Sequence, residues 1–365
     1  MTGVQTCALP ISMLAWGFTR LACEYCIYFH RSESGKVIFA AVHVDDFMSV
    51  ASDKDENERF KTQLRERWVI SDLGEAKFCL GIAIERERST RSIFLSQHAL
   101  IDQVVEKFGL KDAHPVSIPM DPSLKLSRNV EPPANTDELR RIQAIPYRAL
   151  VGSLMYLAMG TRPDIAFAVQ QLSQYLDCYG LTHWDAAKRV VRYLKGTRGL
   201  RLQLGGSSVA DLVGYTDSNY ANCVDTRRSV SGYSFTLGSG LVSWSARKQK
   251  TVSTSSCESE YVAACEATKE AVWLRALLLA LDHGQLRATL LRCDNNGALI
   301  LSGDASFHAR VKHIDVKFHY IRERVAANEI EVKYVNTKDN LADAFTKALP
   351  AKSFEAMREL MGVRA

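Results

Sequence analysis

Apolar and polar positions alternate in short runs that predict strands, separated by longer stretches of helical period. Val37 to Val42 is a strand, and Phe47 to Val50 resumes the pattern after His43-Val44-Asp45-Asp46. A hairpin with two carboxylates at its turn is expected there. Asp53 to Trp68 predicts a charged amphipathic helix, Phe78 to Glu85 with Ser92 to Leu95 a second hairpin, and Gln97 to Phe108 a helix stopped by Gly109. Asp121 to Pro146 holds four prolines and no sustained period, which marks a linker. Tyr147 to Ala158, Pro163 to Leu176 and His183 to Leu194 predict packed helices. In the third, Trp184, Ala187, Val191 and Leu194 share one face, with Lys188, Arg192 and Lys195 largely opposite.

Beyond the joint Gly205-Gly206-Ser207-Ser208 the order is clearer. Asp211 to Thr216, Ser231 to Leu237 and Leu241 to Ser245 are three successive strands, and Ser255 to Leu281 is a long helix. A strand from Thr289 to Cys293, a short helix to Leu301, a helix from His313 to Ala327, a strand from Ile330 to Val335 and a helix from Asn340 to Leu349 complete the run. Three antiparallel strands followed by helix–strand units form an α/β plan.

Composition changes this picture little. The chain has 365 residues, enough for two or three domains, and its 47% hydrophobic and 24% charged content fits a globular protein. No apolar run is long enough to span a membrane, so no membrane partner is expected. The net charge of +5 is unevenly spread: Asp185 to Lys250 holds 11 Lys/Arg against 4 Asp. Such a segment suits a phosphate backbone. Nine scattered cysteines read as reduced intracellular thiols, and Cys23-Glu24-Tyr25-Cys26 has metal-compatible spacing without a second pair. Met1 to Ser12 carries no targeting pattern and resembles the translation of a sequencing adapter, so it is set aside as an artefactual leader.

Four carboxylates carry candidate chemistry. Asp217 closes the strand that ends at Thr216, where an unpaired buried acid would need a cation or a turn to cap. Ser255 and Glu258 fit a capping box, whereas Glu260 heads a face of Ala264, Ala267, Ala271, Leu274 and Leu278 and points towards the sheet. Asp294 follows the strand ending at Cys293 and could also cap the next helix. Asp343 lies off the apolar stripe of Leu341, Phe345 and Leu349, and an i,i+4 pair with Lys347 would account for it. Acidic clusters of this kind hold Mg²⁺ in two-metal nucleases. Trp244, Arg247, Lys248 and Lys250 precede the helix of Glu260 and are candidate nucleic-acid contacts.

Gly214-Tyr215-Thr216-Asp217, Asp225-Thr226-Arg227-Arg228-Ser229-Val230-Ser231-Gly232-Tyr233, Ser253 to Tyr261, Cys293-Asp294-Asn295, His313-Ile314-Asp315 and Ala342-Asp343 with Thr346-Lys347 resemble the ribonuclease H domain of copia-type LTR retrotransposon Pol polyproteins. Thr161-Arg162-Pro163-Asp164-Ile165 and Arg192 to Thr197 resemble the segment joining it to reverse transcriptase, and Val44-Asp45-Asp46 the end of the polymerase palm motif. The resemblance implies a truncated reverse-transcriptase palm and thumb over 13–120, a linker and helical connection over 121–205, an RNase H-like domain with a mixed five-stranded sheet and flanking helices over 206–350, and a tail over 351–365. It implies that Asp217, Glu260, Asp294 and Asp343 hold two Mg²⁺ ions, or Mn²⁺, and that the substrate is the RNA strand of an RNA–DNA hybrid. His43 replaces the family's usual tyrosine, and the third polymerase aspartate would lie upstream of Met1. Asp45 and Asp46 are then remnants of a site that other Pol portions, polymerase or integrase, would have to accompany. An intracellular setting, in a virus-like particle or the nucleus, is implied. The rival expectation is a decayed nucleic-acid binder without catalysis.

Overall fold

The structure is a computed structural model that describes residues 11–44, 46–128, 136–206, 211–295 and 315–365. It is a mixed α/β arrangement with several sheets, in two compact units: Met1–Ala76 with Val272–Leu286, and Lys77–Ala271 with Arg287–Ala365.

In the first unit, β1 (Thr19–Arg20), β2 (Ile27–Arg31), β3 (Val37–His43) and β4 (Asp46–Ala51) form an antiparallel sheet in chain order. The helix Lys54–Arg67 starts where the Asp53 side chain accepts from the backbone N–H groups of Asp55 and Glu56, and it buries Phe60 and Leu64. Those two side chains pack with Phe18, Tyr28, Ile38 and Met13. Met13 is fully buried, and the Ser12 hydroxyl accepts from Arg67 at 2.8 Å. The buried core thus begins at Met13, the first residue after the stretch set aside.

The second unit holds two five-stranded sheets. One is built from β5 (Phe78–Cys79), β6 (Ile82–Glu87), β7 (Ser92–Ser96), β8 (Arg201–Gly205) and a strand from the end of the chain. The expected strand from Phe78 to Glu85 is split because Leu80 and Gly81 both take positive φ, 48° and 74°, and turn the chain. The other sheet holds β9 (Leu212–Asn219), β10 (Val230–Leu237), β11 (Gly240–Lys248), β12 (Thr289–Cys293) and β13 (Ile330–Tyr334) in the order β11-β10-β9-β12-β13. Its first three strands are antiparallel, and β12 runs parallel to both β9 and β13. The expected tail instead forms the helix Ala351–Leu360 and β14 (Val363–Arg364), which pairs with Leu202 and Arg201 of β8.

Helices Tyr147–Gly160, Ala166–Ser173 and Leu181–Gly196 bury Leu150, Leu154, Leu172, Val190, Val191 and Leu194 in one core. Pro163 sets a short 3₁₀ turn between the first two, and a helix Thr136–Ala144 forms inside the expected linker. Arg162 and Asp164, at most 3% exposed, make a two-pronged ion pair of 2.9 and 2.7 Å beneath these helices. Tyr193 donates to Asp164 at 2.6 Å, and Arg162 donates to the Thr197 hydroxyl at 2.7 Å.

Candidate metal centre

Asp217 lies within β9, which runs three residues further than its apolar alternation predicts. Pairing with β10 continues through Asp217↔Gly232 to Asn219↔Val230 and holds the strand extended. On the other side the parallel ladder stops at Cys293↔Thr216. Asp217 therefore has a strand neighbour on one side only, and Asp294 emerges from the end of β12 beside it.

Asp343 arrives on a tight turn. The helix expected from Asn340 to Leu349 is instead a 3₁₀ segment, Leu341–Phe345, with all five residues buried. At three residues per turn the i,i+4 stripe does not apply, so Asp343 is 6% exposed and not on a solvent face. Asn340 fixes the segment, accepting from the Ala342 N–H and donating to the Thr216 carbonyl, each at 3.1 Å. Gly232 admits it: a Cβ there would come within 2.7 Å of Thr346 Cγ2 and 2.9 Å of Phe345 Cβ. Because Gly232 faces Asp217 across the ladder, this close approach is what sets Asp343 next to Asp217.

The helix Ser256–Ala280 supplies Glu260. Its cap is as the sequence predicts: the Glu258 N–H donates to Ser255 Oγ at 3.1 Å. The Glu258 carboxylate reaches one residue further back than a capping box, accepting from Thr254 N–H and hydroxyl at 2.7 Å each. Glu260 is 6% exposed above buried Ala264, Ala267 and Ala271, and the adjoining Ser259 receives a 2.6 Å bond from Ser218 of β9.

Asp217, Asp294 and Asp343 bring ligand atoms within 4.8 Å of one another, and Glu260, Cys293 and Asp294 do the same. Asp294 is common to both groups, so the four expected carboxylates converge. Cys293 was not foreseen; its position at the end of β12, one residue before Asp294, is the signal that could have found it. Thr346 donates to Asp217, and Thr337 donates to Asp294 at 2.8 Å. Lys347 Nζ lies 3.0 Å from Asp343 Oδ1 and 3.8 Å from Asp217 Oδ2.

Burial raises the Glu260 carboxyl to about 9, reinforced by the charges of Asp217 and Asp294. Burial and then Asp217 raise Asp343 to about 7. Asp217 is also pushed up by burial, against the opposing pull of Lys347 and Thr346. Burial lowers Lys347, but Asp217 and Asp343 outweigh it and hold the ammonium above its ordinary value. Burial, then Glu260, pushes the Cys293 thiol to about 12. Glu260 Oε2 is buried with no hydrogen-bond partner among the described residues. Hard carboxylate oxygens that cannot all ionise together, one of them unpartnered, fit a divalent cation such as Mg²⁺.

The expected nucleic-acid contacts divide. Trp244 donates its Nε1–H to the Ala158 carbonyl at 2.9 Å and packs against the cluster of Leu341 and Phe345, so its polar edge is already used. Arg247 and Lys248 lie on β11 and not in a loop, because pairing continues to Val230↔Lys248. Arg247 and Lys250 are exposed, whereas Lys248 Nζ turns to Cys223 Sγ at 3.8 Å. In the first unit Asp46 is exposed opposite His43, while Asp45, Asn296 and His313-Ile314 lie outside the described residues.

Residues 6–122 match the family described as reverse transcriptase (RNA-dependent DNA polymerase). Over 340 residues the chain is 41% identical to the retrovirus-related Pol polyprotein from transposon TNT 1-94 of Nicotiana tabacum, covering 93% of this chain. The chain belongs to the copia-type transposon Pol family. This copia-type chain spans 25% of the TNT 1-94 polyprotein. It is 32% identical to a putative transposon Ty5-1 protein of Saccharomyces cerevisiae, over 70% of this chain and 80% of that protein. The crystal structure of LC11-RNase H1 in complex with RNA/DNA hybrid overlaps 37% of this chain and 94% of that one, at 15% identity and a TM-score of 0.29, too loosely to bear on function.

Proposed function

We propose that this copia-type Pol segment hydrolyses the RNA strand of RNA–DNA hybrids in the manner of ribonuclease H, at Asp217, Glu260, Asp294 and Asp343 with two Mg²⁺ or Mn²⁺ ions. The observation that carries the reading is the convergence of these carboxylates from β9, the long helix, β12 and the 3₁₀ segment, with ligand atoms in two groups of 4.8 Å that share Asp294. Asp217, Asp294 and Asp343 would hold one ion, and Glu260 with Asp294 would border the other. When bound, such ions stabilise charge on the scissile phosphate and make an attacking water acidic enough to react near neutral pH.

The residues of the chain supply the rest. Thr346 and Thr337 fix the orientation of Asp217 and Asp294. Arg247 and Lys250, exposed near the start of the helix that bears Glu260, would meet phosphates of the hybrid. RNA is distinguished from DNA by its 2′-hydroxyls. The remaining polymerase and integrase portions of Pol are proposed partners. The test is cleavage of a labelled RNA–DNA hybrid by the purified chain in Mg²⁺, with Asp217→Asn alongside. Cleavage that needs Mg²⁺ and disappears in the variant supports the reading; equal cleavage by both proteins, or none by a parent chain that binds hybrid and Mg²⁺, sinks it.

A further inference from the structure

We propose that Lys347 is a resident counter-cation of this centre, occupying the Asp217–Asp343 side in the metal-free protein and competing with a divalent ion for it; the proposal rests on the metal-binding reading above. Among the described residues the Lys347 ammonium pairs with both carboxylates, at 3.0 Å from Asp343 and 3.8 Å from Asp217. Its backbone is tethered, with the N–H donating to the Asp343 carbonyl at 3.1 Å, but its side chain is 35% exposed while those of Asp343 and Asp217 are only 9% and 4% exposed. The flexible stem can therefore leave, and the acids cannot. The Glu260–Asp294 side differs: Glu260 Oε2 has no hydrogen-bond partner among the described residues, and the group that donates to Asp294 is the neutral Thr337 hydroxyl.

The two halves of the centre are thus unequal before any ion arrives. A first divalent ion enters beside Glu260 and Asp294, where no ammonium among the described residues makes an ion pair. A second must displace Lys347 from Asp217 and Asp343, since a monocation and a dication cannot share contacts a few ångströms apart at little cost. The displaced ammonium gains a partner when a phosphate is present, which links full metal loading to bound nucleic acid.

The experiment counts Mn²⁺ bound without nucleic acid, by electron paramagnetic resonance and calorimetry, for the parent chain, Lys347→Met, Lys347→Arg and Asp217→Asn. The parent should bind one ion at least about tenfold more tightly than a second. Lys347→Met should strengthen the second site at least about tenfold, Lys347→Arg should match the parent, and Asp217→Asn should lose the second ion. In the parent itself, acetylation of Lys347 read by mass spectrometry should rise as the second ion loads, a measurement that requires no variant to fold. Unchanged Mn²⁺ affinity in Lys347→Met, or Lys347 reactivity indifferent to Mn²⁺, overturns the proposal and leaves the metal reading standing. No Mn²⁺ bound by any of the four proteins overturns both.

Discussion

Thr254 gives both its backbone N–H and its hydroxyl to Glu258, while Glu260, two residues on, keeps one buried oxygen without a hydrogen-bond partner among the described residues. The two acids should therefore fail differently. Glu260→Gln is expected to abolish Mg²⁺-dependent hydrolysis, whereas Glu258→Gln should cost about 1 kcal/mol of stability and leave hydrolysis in place. Kinetics and denaturant unfolding of the two variants decide it, and the reverse pattern would exchange their roles. Titration adds a second expectation. Free carboxylates titrate near about 4, whereas Glu260 and Asp343 are raised to about 9 and about 7. Between those values the folded state holds more protons than the unfolded one. In EDTA their contribution should be intact below about pH 4 and shrink as pH climbs towards 9. Mg²⁺ needs the ionised forms, so the gain in melting temperature on adding it should grow over the same range. A metal-free melting temperature rising from pH 5 to 8 would contradict this.

The 3₁₀ segment Leu341–Phe345 shows where patterns stop being informative. Alanines spaced along one face identified the inward acid of the long helix, because 25 residues of continuous α-helix keep Glu260 in line with Ala264, Ala267 and Ala271. Five residues buried on every side have no period to read, so Asp343 looked solvent-facing until packing placed it. The same holds for β11: hydrogen-bonded pairing carries it to Lys248, past the end of its apolar alternation. The hairpin of β3 and β4, the helix Lys54–Arg67 and the order of strands around Asp217 were legible, since each has one clear face. Gly232 gives the element-scale prediction. Gly232→Ala should push Thr346 and Phe345 away, costing about 1–3 kcal/mol, and should weaken Mn²⁺ binding with no change to any carboxylate. Full metal affinity in that variant would mean that the 3₁₀ segment can give way without moving Asp343.

At the scale of the whole chain, the Arg162–Asp164 pair ties the turn before one helix to the Tyr193 and Thr197 end of another. Asp164→Asn leaves a buried guanidinium without its counter-charge and should cost about 3–5 kcal/mol in urea unfolding. Hybrid binding should weaken steeply with salt, and replacing exposed Arg247 and Lys250 by alanine should lower the log–log slope by about 1 per lost phosphate contact, alike for all sequences. An unchanged slope would place the grip elsewhere, with the segment from Lys188 to Arg201 next to test.

The wide spacing of the four acids along the chain also has a consequence in time. Asp217 and Glu260 leave the ribosome well before Asp294, and Asp343 follows last, on a segment that must still dock over Gly232. The hairpins of β9, β10 and β11 can close early because their partners are neighbours in sequence, whereas β12 and the 3₁₀ segment pair with partners far back in the sequence. The carboxylate cluster is therefore completed only after the hairpin sheet, when Asp343 docks. A stalled or partly synthesised copy would hold a finished hairpin sheet and a carboxylate cluster still lacking its final acid.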